Sequence, residues 1–154
     1  MKAIKLTNGM ETFVDDNDYE YLTQWNWYYS SHGYAYRKIG DKTIFLHREV
    51  LKPIMGQYTD HINGNKLDNQ KSNLRICTYQ QNLCNNPKRK GSYTSPYKGV
   101  SWSQRWQTWR TYVYKDSKSI WIGNFDNPHH AALAYDLWTR DLHGEFANTN
   151  FIAE

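Results

Sequence analysis

Cysteine is scarce: Cys77 and Cys84 are the only two in 154 residues, too few for a disulfide framework or a four-thiolate zinc site. They fit as small buried hydrophobes in a reducing compartment. Proline (4) and glycine (9) are also sparse, which excludes collagen-like and low-complexity architectures. No apolar run approaches the ~20 residues that cross a bilayer, and the mean hydropathy is −0.90. The polar start at Met1-Lys2 offers no signal-peptide core, so a cytoplasmic protein without a membrane partner is expected. What the chain has in quantity is aromatics, with 7 Trp and 13 Tyr in a sequence that is 39% apolar. That suffices to bury cores and excludes global disorder, and the length suits one ordinary domain or two small ones.

Charge is unevenly spread, which says more about partners than the net +4. Residues 1–86 hold 10 basic and 9 acidic side chains, residues 87–123 hold 8 and 1, and residues 124–154 hold 1 and 5. The basic segment also carries Trp102, Trp106, Trp109, Tyr112, Tyr114 and Trp121. Cations interleaved with aromatics suit a phosphate backbone flanked by bases and sugars, although the same composition also describes a solvated face over a small aromatic core.

The pattern predicts two halves. Ile4, Leu6, Thr12 and Val14 alternate around Asn8-Gly9, a hairpin signal. Asp15 through Asp18 offer a cap for a short helix carrying Tyr19, Leu22 and Trp25. Residues 27–29, 34–36 and 43–46 read as an aromatic antiparallel sheet, 47–52 as a helical turn, and a strand begins at Tyr58-Thr59. Thr78 and Gln81 form a capping box for a helix from Tyr79 to about Asn86. Pro87 through Ser92 is basic and breaker-rich, the mark of a linker. Beyond it, 99–102, 109–115 and 119–122 read as strands. Asn127 caps a final helix with Pro128 in its first turn, and Ala131, Ala134, Tyr135, Trp138 and Leu142 form its apolar stripe.

Residues 60–77 hold the densest chemistry: Asp60-His61-Ile62-Asn63-Gly64-Asn65, then Asp68-Asn69, then Ser72-Asn73-Leu74-Arg75. Loop-stabilising Asx turns alone account for such a composition. The joint spacing says more, with an Asp-His pair at a strand end, Asn73 thirteen residues after the Asp, and Asn82 twenty-two after it inside the helix. This arrangement, with His47-Arg48-Glu49-Val50-Leu51 upstream, resembles the HNH nuclease family, whose ββα-metal motif runs strand, loop, strand, helix. The resemblance implies that His61 takes the proton of the attacking water, that Asp60 and Asn82 hold Mg²⁺ or Mn²⁺, and that Asn73 ties the loop and orients the histidine. The chemistry is coherent, since imidazole accepts a proton near neutral pH and hard oxygen donors suit a hydrated divalent ion. Many relatives carry histidine where this chain has Asn82, which argues for magnesium rather than tightly held zinc. Asn86 lies four residues beyond Asn82, on the same helical face, and is a further candidate ligand. His47 is either a buried polar residue beside the site or a DNA contact, and Arg48 is a candidate phosphate contact. His129 and His130, at a helix start, are read as exposed and without function.

Residues 97–151 resemble the ethylene-response-factor (Apetala-type) DNA-binding domain through Tyr97-Lys98-Gly99-Val100, Trp109-Arg110, Trp121-Ile122-Gly123, Ala131-Ala132, Ala134-Tyr135-Asp136 and Asn150-Phe151. The resemblance implies a three-stranded sheet in the major groove. Its positions point to Lys98, Ser101, Ser103, Tyr112, Tyr114 and Trp121, with Arg105, Trp106 and Arg110 nearby. Most of that family's arginines are absent, which weakens base discrimination while leaving phosphate contact. Trp102 and Trp109 are read as core and Trp121 as contact.

The expectation is therefore an α+β protein: residues 1–86 forming a small antiparallel sheet with a ββα-metal core over about 58–86, a basic linker over 87–96, and residues 97–154 forming a three-stranded sheet on one helix. The expected activity is phosphodiester hydrolysis in double-stranded DNA with one Mg²⁺ or Mn²⁺, in a phage or mobile-element endonuclease of the homing type acting in a bacterial host. A monomer is favoured. Lys88, Arg89 and Lys90 follow the DNA backbone in this reading. The competing readings are a non-catalytic DNA-binding regulator that keeps the scaffold and a structured-RNA binder.

Overall fold

The structure is a computed structural model that describes residues 1–88 and 91–151. The chain divides into two compact units, Met1–Asn82 and Leu83–Glu154.

In the first unit, β1 (Lys2–Lys5) and β2 (Glu11–Val14) pair antiparallel. Gly9, at φ +85°, takes the left-handed conformation the turn requires. The helix α1 (Asp16–Leu22) follows. Asp15 does not cap it with its side chain; the carboxylate instead accepts from the backbone N–H of Lys71 at 2.8 Å, tying helix start to a distant loop. Strands β3 (Tyr28–Tyr29), β4 (Ala35–Ile39) and β5 (Lys42–Phe45) form an antiparallel sheet in that order. The short helix α2 (Leu46–Leu51) follows directly. Ile4, Leu6, Val14, Leu22, Trp27, Ala35 and Leu46 make the core. Trp27 is fully enclosed because its indole N–H donates to the Leu22 carbonyl at 2.8 Å, which satisfies the one polar atom that would oppose burial.

Strands β6 (Tyr58–His61) and β7 (Leu74–Cys77) form a separate antiparallel pair, with Asp60 opposite Arg75 and His61 opposite Leu74. The helix α3 (Tyr79–Asn85) comes next, opened by the capping box: Thr78 N–H donates to Gln81 Oε1 at 2.8 Å and Gln81 N–H to Thr78 Oγ1 at 3.2 Å.

The unit boundary falls within α3, upstream of the composition break at 87–96, and hydrogen bonds explain why. Lys98 Nζ donates to the carbonyls of Cys84 and Asn86 at 2.9 and 2.6 Å, and Lys88 Nζ to those of Ser95 and Tyr97 at 2.6 and 2.8 Å. The segment that composition marks as a linker is thus tied to the second unit. There, β8 (Val100–Ser103), β9 (Thr108–Lys115) and β10 (Lys118–Phe125) form an antiparallel meander, and α4 (Pro128–His143) packs on one face. Asn127 caps α4, accepting from His129 N–H at 2.7 Å.

The buried face of α4 differs from the expected stripe. Ala131, Ala132, Tyr135, Asp136 and Thr139 are buried, while Trp138 is exposed. The polar Asp136 can face inward because the C-terminal segment satisfies it: the N–H groups of Asn150 and Phe151 donate to its two carboxylate oxygens at 2.8 and 2.9 Å. Gly99, at φ +77°, lies so close to Tyr135 that a Cβ there would sit 2.0 Å from the ring.

Candidate functional site

Asp60 and His61 end β6, each only 5% exposed. Consecutive strand residues point to opposite faces, so each is held by a different neighbour. Asp60 Oδ2 accepts from Arg75 Nε at 2.9 Å and lies 2.7 Å from the terminal guanidinium nitrogen. Cross-strand register alone brings this buried pair together. His61 turns toward a polar loop, where its Nε2 lies 3.2 Å from Asn69 Oδ1. The Asn69 amide nitrogen donates to Thr12 Oγ1 at 2.7 Å and more weakly to the Lys66 carbonyl at 3.4 Å, so the amide oxygen is the atom facing the imidazole. The proton of neutral His61 therefore sits on Nε2 and the lone pair on Nδ1. Burial holds the His61 pKa below its ordinary value, against the Asn69 hydrogen bond and the charges of Asp60 and Asp68. The ring is neutral at pH 7, as a proton acceptor must be.

The loop is a lattice of side-chain to backbone bonds. Asn73 Oδ1 accepts from Asn63 N–H at 3.0 Å, Asn73 Nδ2 donates to the Asp68 carbonyl at 2.8 Å, and the Asn73 carbonyl accepts from Ile62 N–H at 2.8 Å. Asn63 and Asn65 accept from N–H groups two residues on, the Asx turns that short amides favour. β2 anchors the other side: Phe13 N–H donates to the Leu67 carbonyl, Asn69 N–H to the Phe13 carbonyl, and Thr12 Oγ1 to the Leu67 carbonyl.

A second shell of rings backs His61. His47, on α2, meets it edge-on with centroids 5.2 Å apart, and Tyr34 lies 5.0 Å from His47 and 5.9 Å from His61. Burial, then the charges of His61 and Arg48, pushes His47 down to about 3, so this ring too is neutral. Its Nδ1 is buried without a hydrogen-bond partner among the described residues.

The structure thus gathers His61, Asn73 and His47 about the polar loop, with Asp60 next to His61 on β6 but turned to Arg75. Asn82 stands on α3, half-buried, with its N–H donating to the Thr78 carbonyl at 3.1 Å. Asn86 is exposed and belongs to the second unit, where its carbonyl takes Lys98 Nζ. Arg48 is exposed. Sequence reasoning gave no role to Arg75 or Asn69. Arg75 was within reach, since pairing β6 with β7 sets it opposite Asp60. Nothing in local spacing marks Asn69, because β2 holds it from more than fifty residues away.

In the second unit, β9 alternates cleanly. Trp109, Thr111 and Val113 face α4, while Arg110, Tyr112 and Tyr114 face the open side. Ser101 pairs with Arg110 and Trp121 with Tyr112, so both join that open face, and Ser103 lies two residues from Ser101 on β8. Trp121 and Tyr114 are well exposed, as is Trp106 in the β8–β9 turn, where Arg105 sits 5.0 Å from its ring. Trp102 and Trp109 meet edge-on at 5.1 Å on the opposite side. Two lysines outside the strands are engaged within their own unit: Lys98, pushed down to about 8 by burial, and Lys88, also lowered by burial, both donate to backbone carbonyls, while Lys115 and Lys118, at the β9–β10 turn, are exposed. Arg89 and Lys90 lie outside the described residues.

A buried aspartate and histidine at a strand end, followed by a helix and a separate aromatic sheet, make a two-part protein, and comparison with known proteins shows relatives of both parts. Residues 95–145 match the AP2 domain family. An uncharacterized HNH endonuclease of Acanthamoeba polyphaga mimivirus is 33% identical over 150 residues, covering 94% of this chain and 76% of that protein. Protein 3.8 of Escherichia phage T7 is 38% identical over 92 residues, 60% of this chain and 74% of its own. An AP2-like ethylene-responsive transcription factor of Arabidopsis thaliana is 34% identical over 61 residues, 40% of this chain and 13% of that protein. The chain belongs to the HNH endonuclease family and carries an AP2-type DNA-binding domain in its C-terminal half. No helix among the described residues is long and apolar enough to cross a membrane.

Proposed function

We propose that the protein is a DNA endonuclease, with the cleavage centre around His61 and the duplex docked by the open face of β8, β9 and β10. The observation that carries the reading is a buried Asp60 followed directly by a buried, neutral His61 at the end of β6, each fixed by its own partner, Arg75 or Asn69. His61 Nδ1 accepts a proton from water, the resulting hydroxide attacks phosphorus, and the 3′ oxygen departs as the bond to it breaks. Asn69 holds the imidazole in the tautomer this needs. Asn73 keeps the loop closed around it.

The oxygen donors of this reading suit a hard divalent ion. Among the described residues no group of three or more His, Cys, Asp and Glu could hold a metal, so the donors this reading uses are the carboxylate of Asp60 and the amide oxygen of Asn82. One or two such oxygens, with the remaining positions left to water and phosphate, is how Mg²⁺ is usually held; Mn²⁺ suits the same donors. When bound, the ion supplies neutralisation of the charge that builds on the phosphate.

Docking draws on Arg105, Trp106, Arg110, Tyr112, Tyr114 and Trp121, with Ser101 and Ser103 between them. Cations reach phosphate and rings reach bases or sugars. The relatives from a virus and a phage support a phage or mobile-element origin, acting in the cytoplasm of a bacterial host.

The test is nicking of supercoiled plasmid in Mg²⁺. His61→Ala is expected to lower the rate by about 10²–10⁴ while duplex binding persists; undiminished cleavage would remove His61 from the mechanism. The second reading is a DNA-binding regulator without cleavage, favoured by one observation: the Arg75 guanidinium already balances the Asp60 carboxylate. It predicts duplex retention with no Mg²⁺-dependent cleavage by the intact chain.

A further inference from the structure

The sheet of β3, β4 and β5 leaves more aromatic surface open than its fold needs. β3 pairs only with Tyr36 and Ala35, so it covers β4 no further than Tyr36. An open cavity of about 700 Å³ occupies that place, lined among others by Trp25, Asn26, Tyr28, Tyr36, Arg37 and Lys38. Tyr28 is 44% exposed and its ring lies 5.8 Å from that of Tyr36. Ile39, at the rim, is 54% exposed. A cluster of this kind marks a recognition surface more often than a tolerated defect.

The polar groups in the cavity favour one class of occupant. Arg37 is buried, 4.0 Å from the Trp25 ring, and one guanidinium nitrogen reaches Glu49 at 3.3 Å. Its guanidinium thus backs the Trp25 ring from the buried side. Glu49 is also engaged by the Tyr21 hydroxyl at 2.7 Å, so its charge is balanced locally. Lys38 adds an exposed cation and Asn26 an exposed amide. An open ring at Tyr28 for stacking, an amide and a cation at the edge together match a nucleobase with its phosphate. An extended peptide added along the strand would use the backbone edge of β4 and leave the ring faces of Tyr28 and Tyr36 without a role.

Position supports the same occupant. From the cavity, rings follow one another toward the cleavage centre: Tyr36 to Phe45 at 6.5 Å, Phe45 to His47 at 5.6 Å, His47 to His61 at 5.2 Å. We propose that this cavity takes an unstacked nucleobase of single-stranded DNA, so that the first unit holds a strand next to the scissile region independently of the AP2-type sheet. The proposal deepens the endonuclease reading, and its experiment is chosen so that the two fail separately.

The probe is a short oligothymidylate carrying 5-iodouracil, bound to the full-length protein in EDTA so that no cleavage intervenes, irradiated, and mapped by mass spectrometry. Crosslinks to Tyr28, Tyr36 or Trp25 are expected, and Tyr28→Ala is expected to weaken oligothymidylate binding about tenfold while barely changing affinity for an abasic strand of equal length. Tyr28→Phe keeps the stacking face and restores binding, which separates base stacking from misfolding. Crosslinks confined to residues 97–125, or equal losses on oligothymidylate and abasic strand, overturn the proposal, and so does capture of peptide in place of the oligonucleotide. A protein that crosslinks at Tyr28 yet cuts no plasmid loses only the endonuclease reading. One that cuts but never crosslinks there loses only this site.

Discussion

His47 shows how burial decides the behaviour of a single residue. Enclosed by Phe45, Tyr34 and His61, it stays neutral down to about pH 3, whereas an unfolded histidine charges near 6.5. Between those values the unfolded chain binds the extra proton, so stability rises with pH across this window and the penalty is gone above it. The slope from one such group is at most about 1.4 kcal/mol per pH unit. His47→Phe removes the linkage while keeping a ring in place. Urea midpoints measured from pH 7 down to 4 should fall more steeply for the natural chain than for the variant; parallel curves would mean that His47 is not neutral in the fold. Arg75 and Asn69 are the opposite kind of residue, polar groups buried only because each has a partner in Asp60 or His61.

At the scale of elements, the AP2-type sheet and its helix are joined by close approach as much as by apolar area. Gly99 makes this possible, combining φ +77° with a Tyr135 ring where a Cβ would have to go. Gly99→Ala should destabilise the second unit by about 2–4 kcal/mol, from left-handed strain and overpacking together. Gly144 is the comparison: it also has positive φ, +54°, with ψ −129°, but nothing lies within 4 Å of its Cβ position, so Gly144→Ala should cost about 1–3 kcal/mol from backbone strain alone. Thermal unfolding followed by tryptophan fluorescence compares the two, and equal losses would show that the Tyr135 contact is yielding. The caps and strands that position these elements are written locally: Thr78 with Gln81, Asn127 before Pro128, and the strand over 109–115 were all readable in sequence because each depends on neighbours within a few residues. The face that α4 buries was not, because Asp136 turns inward to meet Asn150 and Phe151 from the end of the chain.

At the scale of the whole molecule, docking on the proposed face makes DNA affinity fall with salt through the cations of that face. Lys88 and Lys98 are tied to carbonyls, so the arginines of the sheet, with Lys115 and Lys118 at the β9–β10 turn, should carry more of that response than a count of charges implies. Arg105→Ala should reduce the slope of log affinity against log salt by about 1 with little change in sequence preference. Lys98→Ala should instead lower the thermal stability of the second unit. An unchanged slope in Arg105→Ala, measured by fluorescence anisotropy on duplex DNA, would place the docking face elsewhere. The division into two units fits such separable effects, since each unit has its own core.

Sequence by itself determined the division into an HNH half and an AP2-type half, the order of strands and helices, and the residue types at the proposed cleavage centre. These depend on periodicity, caps and short-range spacing, which a linear chain displays directly. Only the tertiary structure decided which partners hold those residues: Asn69 against His61 through β2, His47 behind it on α2, Lys98 on the carbonyls that follow Asn82, and Asp136 under the C-terminal segment. Each of these contacts joins groups far apart along the chain, and a buried polar atom takes whichever partner the packing brings within hydrogen-bond reach.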